Sequence, residues 1–186
     1  MNQPALLIID IQNDYFPGGA MALTAPEAAA RQAAELLDYF REHQWPRFLI
    51  QHESVRPGAT FLVPGTPGQA LHSLIAPGAG DPVITKRYPN AFQATTLHDD
   101  LQSAGCRQLV ICGMMTHMCI DTTVRAAFSL GYQVQLIADA TATRALRYGD
   151  HEVPAEAVQN AFLAAMQGVF AEVLNADAWL TKEKER

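Results

Sequence analysis

The chain has 186 residues, and its 13 basic and 19 acidic side chains give a formal net charge of −6. A chain of this length can bury most of its apolar surface in one domain without disulfide bonds. Its charges form neither an acidic block nor a basic cluster, which argues against a nucleic-acid-binding protein and against a polybasic membrane anchor.

The chain starts with a short apolar segment that lacks the charged region of a secretory signal and is too short to span a bilayer. We therefore expect a cytoplasmic protein. Its three cysteines, Cys106, Cys112 and Cys119, are an odd number, and their spacing does not fit a structural zinc site. We expect Cys106 and Cys112 to be inert.

Short apolar runs alternate with segments of helical periodicity. Strands are predicted at residues 5–9, 46–50, 82–85, 108–112, 132–138 and 169–174, and helices at 25–43, 96–104, 117–130 and 154–167. The alternation predicts a single α/β domain over residues 1–186. Its three layers (αβα) would be a mostly parallel, Rossmann-like sheet of about six strands with helices on both faces.

One long loop, residues 54–82, interrupts this alternation. It holds five of the eleven prolines and five of the twelve glycines of the chain. This composition predicts an ordered loop with at most short elements, and loops of this length are often functional. A lid, a contact surface for another subunit and a plain connection all remain open. The final residues, TKEKER (181–186), predict a solvated and frayed end.

Three chemically active side chains follow predicted strands. Asp10 ends the first strand, Lys86 follows the third, and Cys119 lies just beyond the fourth, at the start of a helix. Singly, each fits a turn residue, a solvated charge or a small buried residue. Because the carboxyl ends of parallel strands share one edge, where ligands bind, the three together indicate a catalytic site.

The residues before Cys119 suggest how its thiol could be activated. Thr116 is predicted as the N-cap, which would place Cys119 at the third helical position. The helix dipole and a nearby Lys86 would then lower the pKa of the Cys119 thiol, and Asp10 could hold the lysine and exchange protons. The arrangement has the logic of a catalytic triad without histidine.

Four segments carry a family resemblance: LLIIDIQNDYF (6–16), VITKRYPNAFQATTL (83–97), LVICGMMTHMCIDTTVRAAFSLGYQV (109–134) and ADATAT (138–143). The sequence resembles the isochorismatase-like cysteine hydrolases, the superfamily that includes nicotinamidases and N-carbamoylsarcosine amidohydrolase. With their connections, the matching segments cover almost the whole chain.

The resemblance implies a role for each matching residue. Asp10 corresponds to the general acid/base, Lys86 to the catalytic lysine and Cys119 to the nucleophile. A non-proline cis peptide is implied between Met114 and Met115, and the backbone N–H groups of Met115 and Cys119 would form an oxyanion hole.

The substrate pocket is less well defined by the sequence. Its predicted wall residues are Tyr15, Phe16, His52, Tyr88, Phe92 and Met115. Nicotinamidases bind a metal through an Asp-x-His pair that the stretch QHES (51–54) lacks. We therefore expect no metal and no other cofactor, although His72 could pair with His52.

The resemblance implies a hydrolase of a C–N bond in a small amide, ureido or carbamoyl compound, acting through a covalent thioester on Cys119. Some true isochorismatases cleave an enol ether and lack this cysteine. Enol ether hydrolysis and a non-catalytic binding module are the alternatives. Beyond a small-molecule substrate, we expect no nucleic acid or membrane partner. We expect a homo-oligomer, a dimer or larger, with the long loop as the candidate contact.

Overall fold

The structure, a computed structural model, describes residues 3–185. Its strands are β1 (Ala5–Ile9), β2 (Arg47–His52), β3 (Val83–Lys86), β4 (Gln108–Met114), β5 (Gln133–Ala142), β6 (Leu146–Tyr148), β7 (His151–Val153) and β8 (Glu172–Leu174). Six of them form a parallel sheet in the order β3-β2-β1-β4-β5-β8, while β6 and β7 form a separate antiparallel hairpin.

Helices cover both faces of the sheet, which confirms the predicted α/β class. They are α1 (Pro26–Glu42), α2 (Leu97–Ser103), α3 (Asp121–Ser129), α4 (Ala155–Met166) and α5 (Ala176–Lys184). Side chains of α1 and α5 belong to the apolar core on one face, and side chains of α2 and α3 belong to the core on the other.

Strand β1 shows why its sequence is a continuous apolar run. Its side chains alternate between the two faces, so Leu6 and Ile8 enter one core while Leu7 and Ile9 enter the other. All four are at most 1% exposed. Burying each such side chain contributes about 1.5–3 kcal/mol of transfer free energy, which fixes β1 in the middle of the sheet.

The strand order reverses beside β1. From β1 the chain adds β2 and β3 on one side of the sheet, and then returns to place β4, β5 and β8 on the other. The crevice between the carboxyl ends of β1 and β4 is therefore the topological switch point, where open α/β sheets bind their ligands.

The C-terminal segment departs from the prediction of a frayed end. Helix α5 continues to Lys184, and the side chain of Trp179 is fully buried. Its indole stacks on Phe40 with ring centroids 5.4 Å apart, and its N–H donates to Gln135 Oε1 at 2.8 Å. Lys182, Lys184 and Glu185 are exposed on this helix, whereas Glu183 is buried, and Trp179 packs the helix against α1.

The long loop is ordered, as its composition predicted. A 3₁₀ turn, Ser73–Ile75, lies within it, and Ile75 is fully buried. Asp14 connects the loop to the sheet, because the N–H of Leu62 donates to Asp14 Oδ2 at 2.6 Å. Gly68 packs directly on the Asp14 carboxylate, where a Cβ atom would collide.

Within residues 3–185, no helix combines the length and the apolar character that crossing a membrane requires.

Candidate active site

The structure brings Asp10, Lys86 and Cys119 into direct contact. Lys86 Nζ lies 2.6 Å from Asp10 Oδ2 and donates a hydrogen bond to Cys119 Sγ at 3.2 Å. The three residues are 0%, 1% and 4% exposed, respectively. Charges held this close and this deeply buried interact far more strongly than charges in water.

Each residue reaches the contact from a different strand. Asp10 follows β1 with φ +54°, a conformation that aspartate tolerates better than most residues. Lys86 ends β3, two strands away from β1, so only a long side chain spans the distance. Cys119 lies on the turn after β4.

Gly113 sets how closely β4 approaches β1. It pairs with Ile9 in the sheet register, and its φ of +125° is one that other residues rarely adopt. A Cβ atom at this position would collide with the carbonyl oxygen of Ile9. A turn of the chain is one use of this glycine, and the structure adds a second, because only a residue without a Cβ atom allows this close approach of β4 to β1.

His52 supplies a third contact to the lysine. Its Nδ1 lies 3.0 Å from Lys86 Nζ, and the two residues are register partners on β2 and β3. The sequence indicated His52 only as a pocket wall residue and a possible partner of His72. The contact with Lys86 depends on the strand register, which the sequence does not reveal.

Gln12, which the sequence analysis did not single out, fixes the backbone beside this contact. It is fully buried and bonds to both peptide groups of His52: Oε1 accepts from the N–H at 2.8 Å, and Nε2 donates to the C=O at 2.9 Å. Its position two residues after Asp10 is the signal that could have drawn attention to it.

A metal ion would compete with the lysine for the same ligands. Ligand atoms of Asp10, His52 and Cys119 all lie within 4.8 Å of one another, a spacing that could hold a cation. The Lys86 ammonium contacts all three residues and takes the place such a cation would need. The residues therefore fit an ammonium-centred site better than a metal site.

The pKa of the Cys119 thiol is shifted upward, whereas the sequence analysis expected a downward shift. Burial raises this pKa well above its ordinary value, and the Asp10 carboxylate raises it further. Lys86 lowers it but does not offset the other two effects. Burial alone would lower the pKa of Lys86, yet Asp10 and Cys119 raise it overall. The resting site therefore holds a neutral thiol beside an ammonium and a carboxylate.

The predicted N-cap at Thr116 is wrong. Thr116 is the first residue of a π-helical turn, Thr116–Ile120, and Met115 occupies the cap position. The hydroxyl of Thr116 instead donates to Gln159 Oε1 of α4 at 2.7 Å. Cys119 is thus the fourth residue of the turn rather than the third, which weakens the argument from the helix dipole.

The peptide bond between Met114 and Met115 is cis, at the position that the family resemblance implies. Met115 and Cys119 are both nearly buried and both line the cavity in front of the thiol. The carbonyl oxygen of Met115 accepts hydrogen bonds from the N–H groups of Met118 and Ile120, at 3.0 and 3.3 Å.

A cavity of about 390 Å³ opens onto the thiol. One side consists of residues 54–61, the first part of the long loop, which we call the wall segment. The rest of the lining comes from Tyr15, His52, Arg87, Pro89, Met115, Met118 and Cys119. Of the predicted pocket residues, Tyr15, His52 and Met115 therefore line the cavity.

The other predicted pocket residues lie elsewhere. Phe16 stacks on His72 with ring centroids 3.7 Å apart, and Phe92 stacks on Tyr132 at 5.9 Å. Tyr88 is 44% exposed and is not part of the cavity lining. None of the three lines this cavity, because position in a motif does not fix the direction of an aromatic side chain.

His72 does not join His52 either. Its Nδ1 accepts the N–H of Leu74 at 3.3 Å, which caps the 3₁₀ turn of the long loop. The two remaining cysteines are buried apart from the site, and burial raises the pKa of both Cys106 and Cys112. We therefore assign them no chemical role.

Known proteins that resemble this chain identify its family. The family model of the isochorismatase domain matches residues 4–178, so the chain belongs to the isochorismatase family. It is 50% identical to the isochorismatase family protein YddQ of Bacillus subtilis, over 95% of this chain and 98% of that one. A crystal structure of an Oleispira antarctica protein assigned to the isochorismatase hydrolases has a TM-score of 0.93 and 41% identity, over 97% of each chain.

Some relatives are named for amide hydrolysis. Maleamate amidohydrolase of Pseudomonas putida is 31% identical, over 76% of this chain and 73% of its own length. Ureidoacrylate amidohydrolase of Variovorax paradoxus is 27% identical, over 93% and 78%. The protein is thus an isochorismatase-family hydrolase, and its relatives include amidohydrolases.

Proposed function

We propose that this protein hydrolyses a C–N bond in a small amide, ureido or carbamoyl compound through a thioester on Cys119. The observation that carries the proposal is the contact of the Cys119 thiol with a buried ammonium, which itself pairs with a buried carboxylate. The amidohydrolases among the relatives support the same bond type.

The charge balance of the site favours proton transfer within it. Releasing the thiol proton to solvent would leave two buried negative charges against the single positive charge of Lys86, which is costly. Passing the proton from Cys119 to Asp10 instead keeps the net charge at zero. Asp10 is suited to accept it, since its Oδ2 pairs with Lys86 while its buried Oδ1 accepts no hydrogen bond from any residue within 3–185.

The first half of the reaction then forms the thioester. As a substrate carbonyl approaches, Asp10 takes the thiol proton and the sulfur attacks the carbonyl carbon. The backbone N–H groups of Met115 and Cys119 stabilise the oxyanion, a contribution of roughly 2.7–4 kcal/mol for one such donor. Asp10 passes its proton to the nitrogen, the C–N bond breaks, and the amine or ammonia leaves.

The second half releases the acid. A water molecule attacks the thioester carbonyl while Asp10 accepts one of its protons. The C–S bond then breaks, and Asp10 returns the proton to the sulfur, which restores the thiol and yields a carboxylic or carbamic acid. Lys86 stays protonated throughout and stabilises the negative charge on the sulfur through their hydrogen bond.

The charged side chains of the cavity lining are Arg56 and Arg87. Arg87 pairs with Glu53 at 2.6 Å, whereas Arg56 forms no ion pair with any described residue. We infer that the preferred substrates carry a carboxylate away from the scissile bond, which Arg56 would contact. Maleamate and ureidoacrylate, named in two relatives, are compounds of this type.

An ammonia- and amine-release screen over neutral and carboxylate-bearing amides tests the proposal, with Cys119→Ala as the comparison. We expect the wild-type protein to release ammonia or amine, and Cys119→Ala to lose the activity by a factor of about 10³ or more. A trapped acyl group on Cys119, detected by mass spectrometry, would add direct support. Cys119→Ala that retains wild-type turnover would rule the mechanism out, as would cleavage without release of a nitrogen compound.

A further inference from the structure

We propose that His52 is a positioning residue, a neutral imidazole with its hydrogen on Nε2, whose Nδ1 holds the Lys86 ammonium against Cys119. The inference rests on the proposed function, since it assigns His52 a part in the same reaction. It adds a fourth member to the site and gives it a function other than lining the cavity.

The hydrogen-bond count of Lys86 carries the argument. An ammonium group has three hydrogens and no acceptor. Three acceptors surround Lys86 Nζ: Asp10 Oδ2 at 2.6 Å, His52 Nδ1 at 3.0 Å and Cys119 Sγ at 3.2 Å. Since Nδ1 faces a group that can only donate, it must be the acceptor, and the ring hydrogen must lie on Nε2.

The backbone of His52 is held independently of the lysine side chain. His52 and Lys86 are register partners on neighbouring strands. Gln12 bonds to both peptide groups of His52, so the histidine backbone cannot shift without breaking buried hydrogen bonds. Burial lowers the pKa of His52, with a further contribution from Lys86, which agrees with a neutral ring.

The contact with His52 affects which way the N–H bonds of the Lys86 ammonium point. Asp10 and Lys86 attract each other strongly, and with only these two acceptors the ammonium could turn toward the carboxylate and away from the sulfur. The third acceptor restrains that movement, so that one N–H keeps pointing at Cys119 Sγ. Loss of this restraint would weaken stabilisation of the negative charge on sulfur without altering the cavity wall.

Two variants separate the acceptor from the bulk of the ring. In His52→Asn, a neutral amide oxygen lies close to the position of Nδ1 and can still accept from Lys86. In His52→Leu, the volume is similar but the acceptor is lost. His72→Leu is the matched control, since His72 is also half-buried but stacks on Phe16 away from the site.

The first measurement needs no substrate. Iodoacetamide labelling of Cys119 is followed at pH 8.5, with peptide mass spectrometry to separate it from the other cysteines. We expect His52→Leu to slow labelling about tenfold, the effect of losing one hydrogen bond to a charged group. His52→Asn should stay within about twofold of the wild type, and His72→Leu should be unchanged.

Nitrogen-15 NMR of the wild-type protein tests the tautomer. We expect His52 Nδ1 to be unprotonated and Nε2 to carry the hydrogen at pH 7. An Nδ1–H tautomer or a protonated ring would overturn the proposal, as would equal labelling rates for the Asn and Leu variants. Should His52→Leu fail to fold, His52→Gln replaces it, because its acceptor lies near the position of Nε2.

Turnover gives a separate readout. With a substrate from the amide screen, His52→Leu should lower kcat about tenfold while KM stays within twofold, and His52→Asn should restore most of kcat. A change in KM alone would contradict a positioning role. If the wild-type protein cleaves none of the amides, the proposed C–N hydrolysis fails, whereas the labelling and NMR results still decide the role of His52.

Discussion

The two sides of the cavity differ in how they are built. The site residues Asp10, Lys86 and Cys119 are buried at the ends of sheet strands, and Lys86 finds an acceptor for each of its hydrogens. The wall segment opposite belongs to a loop, and most of its residues are exposed, Arg56 among them. The proposed chemistry thus depends on groups that the sheet holds in place, whereas the proposed contact with a substrate carboxylate depends on a loop, the kind of element in which sequence varies most readily.

The largest effect is expected from removing the buried cation. Lys86→Met leaves the Asp10 carboxylate buried without its partner, which should cost about 3–5 kcal/mol of unfolding free energy or force Asp10 to take up a proton. Turnover should fall by at least about a thousandfold, because the sulfur loses its charged donor. Urea unfolding and kcat measure the two effects.

The matched control for Lys86→Met is Lys182→Met. Lys182 pairs with Glu172 at 3.0 Å but is 43% exposed at its side chain, so its loss should change the unfolding free energy by at most about 1 kcal/mol. Similar losses of stability in the two variants would mean that the buried Lys86–Asp10 pair stabilises the fold no more than an exposed pair does.

The next largest effect is expected where Asp14 holds the long loop, at Leu62 and Gly68. In Gly68→Ala, the new methyl group collides with the Asp14 carboxylate, which also accepts the N–H of Leu62. We expect a loss of about 1–3 kcal/mol in unfolding free energy and faster hydrogen exchange in the long loop. Gly65→Ala is the comparison without a collision: its Cβ atom meets open space, so it should lose only about 1–2 kcal/mol to backbone strain at φ +77° and leave the Asp14 contact intact. Unchanged exchange of the loop in Gly68→Ala would show that Asp14 does not anchor it.

The pH dependence of labelling tests the neutral thiol. Since burial and Asp10 raise the pKa of Cys119, the thiolate is a minor species at pH 7 and increases about tenfold per pH unit up to and beyond the ordinary thiol pKa of about 8.5. Iodoacetamide labelling of Cys119 should therefore rise through pH 7 to 9 without reaching a plateau. A plateau at or below pH 7 would mean that the pKa is lowered, as the sequence analysis expected.

The smallest effect is expected at the cavity wall. Arg56→Met should raise KM for carboxylate-bearing amides about tenfold and leave kcat, stability and the turnover of neutral amides unchanged. The same loss on neutral amides would contradict a contact with a substrate carboxylate. Lys86→Met and Arg56→Met together test the division between chemistry and selectivity, because each removes one positive charge from one side of the cavity.

Much of the fold could be predicted from the sequence, because strands buried on both faces are continuous apolar runs. Strand β1 begins and ends where its apolar run does. The β6–β7 hairpin was missed because all of its residues except Leu146 are exposed, so that it carries no apolar pattern. Helix α5 was missed because its few apolar contacts, chiefly Ala176, Trp179 and Leu180, are followed by a run of charged residues.

The site was predictable to the extent that it depends on topology. Residues at the carboxyl ends of parallel strands must share an edge, which was enough to bring Asp10, Lys86 and Cys119 together. The contact between His52 and Lys86 depends on strand register, and the pKa of Cys119 depends on burial, neither of which a linear pattern specifies. The prediction of a lowered pKa counted the lysine charge but not the loss of solvent.

The neutral state of Cys119 has a consequence for the durability of the protein. Peroxides attack thiolates rather than thiols, and they attack sulfur atoms that solvent can reach. The Cys119 residue is only 4% exposed and its thiol has a raised pKa, so little of the reactive thiolate is present at neutral pH. A nucleophile that stays protonated at neutral pH until a substrate arrives should therefore be oxidised slowly between catalytic cycles.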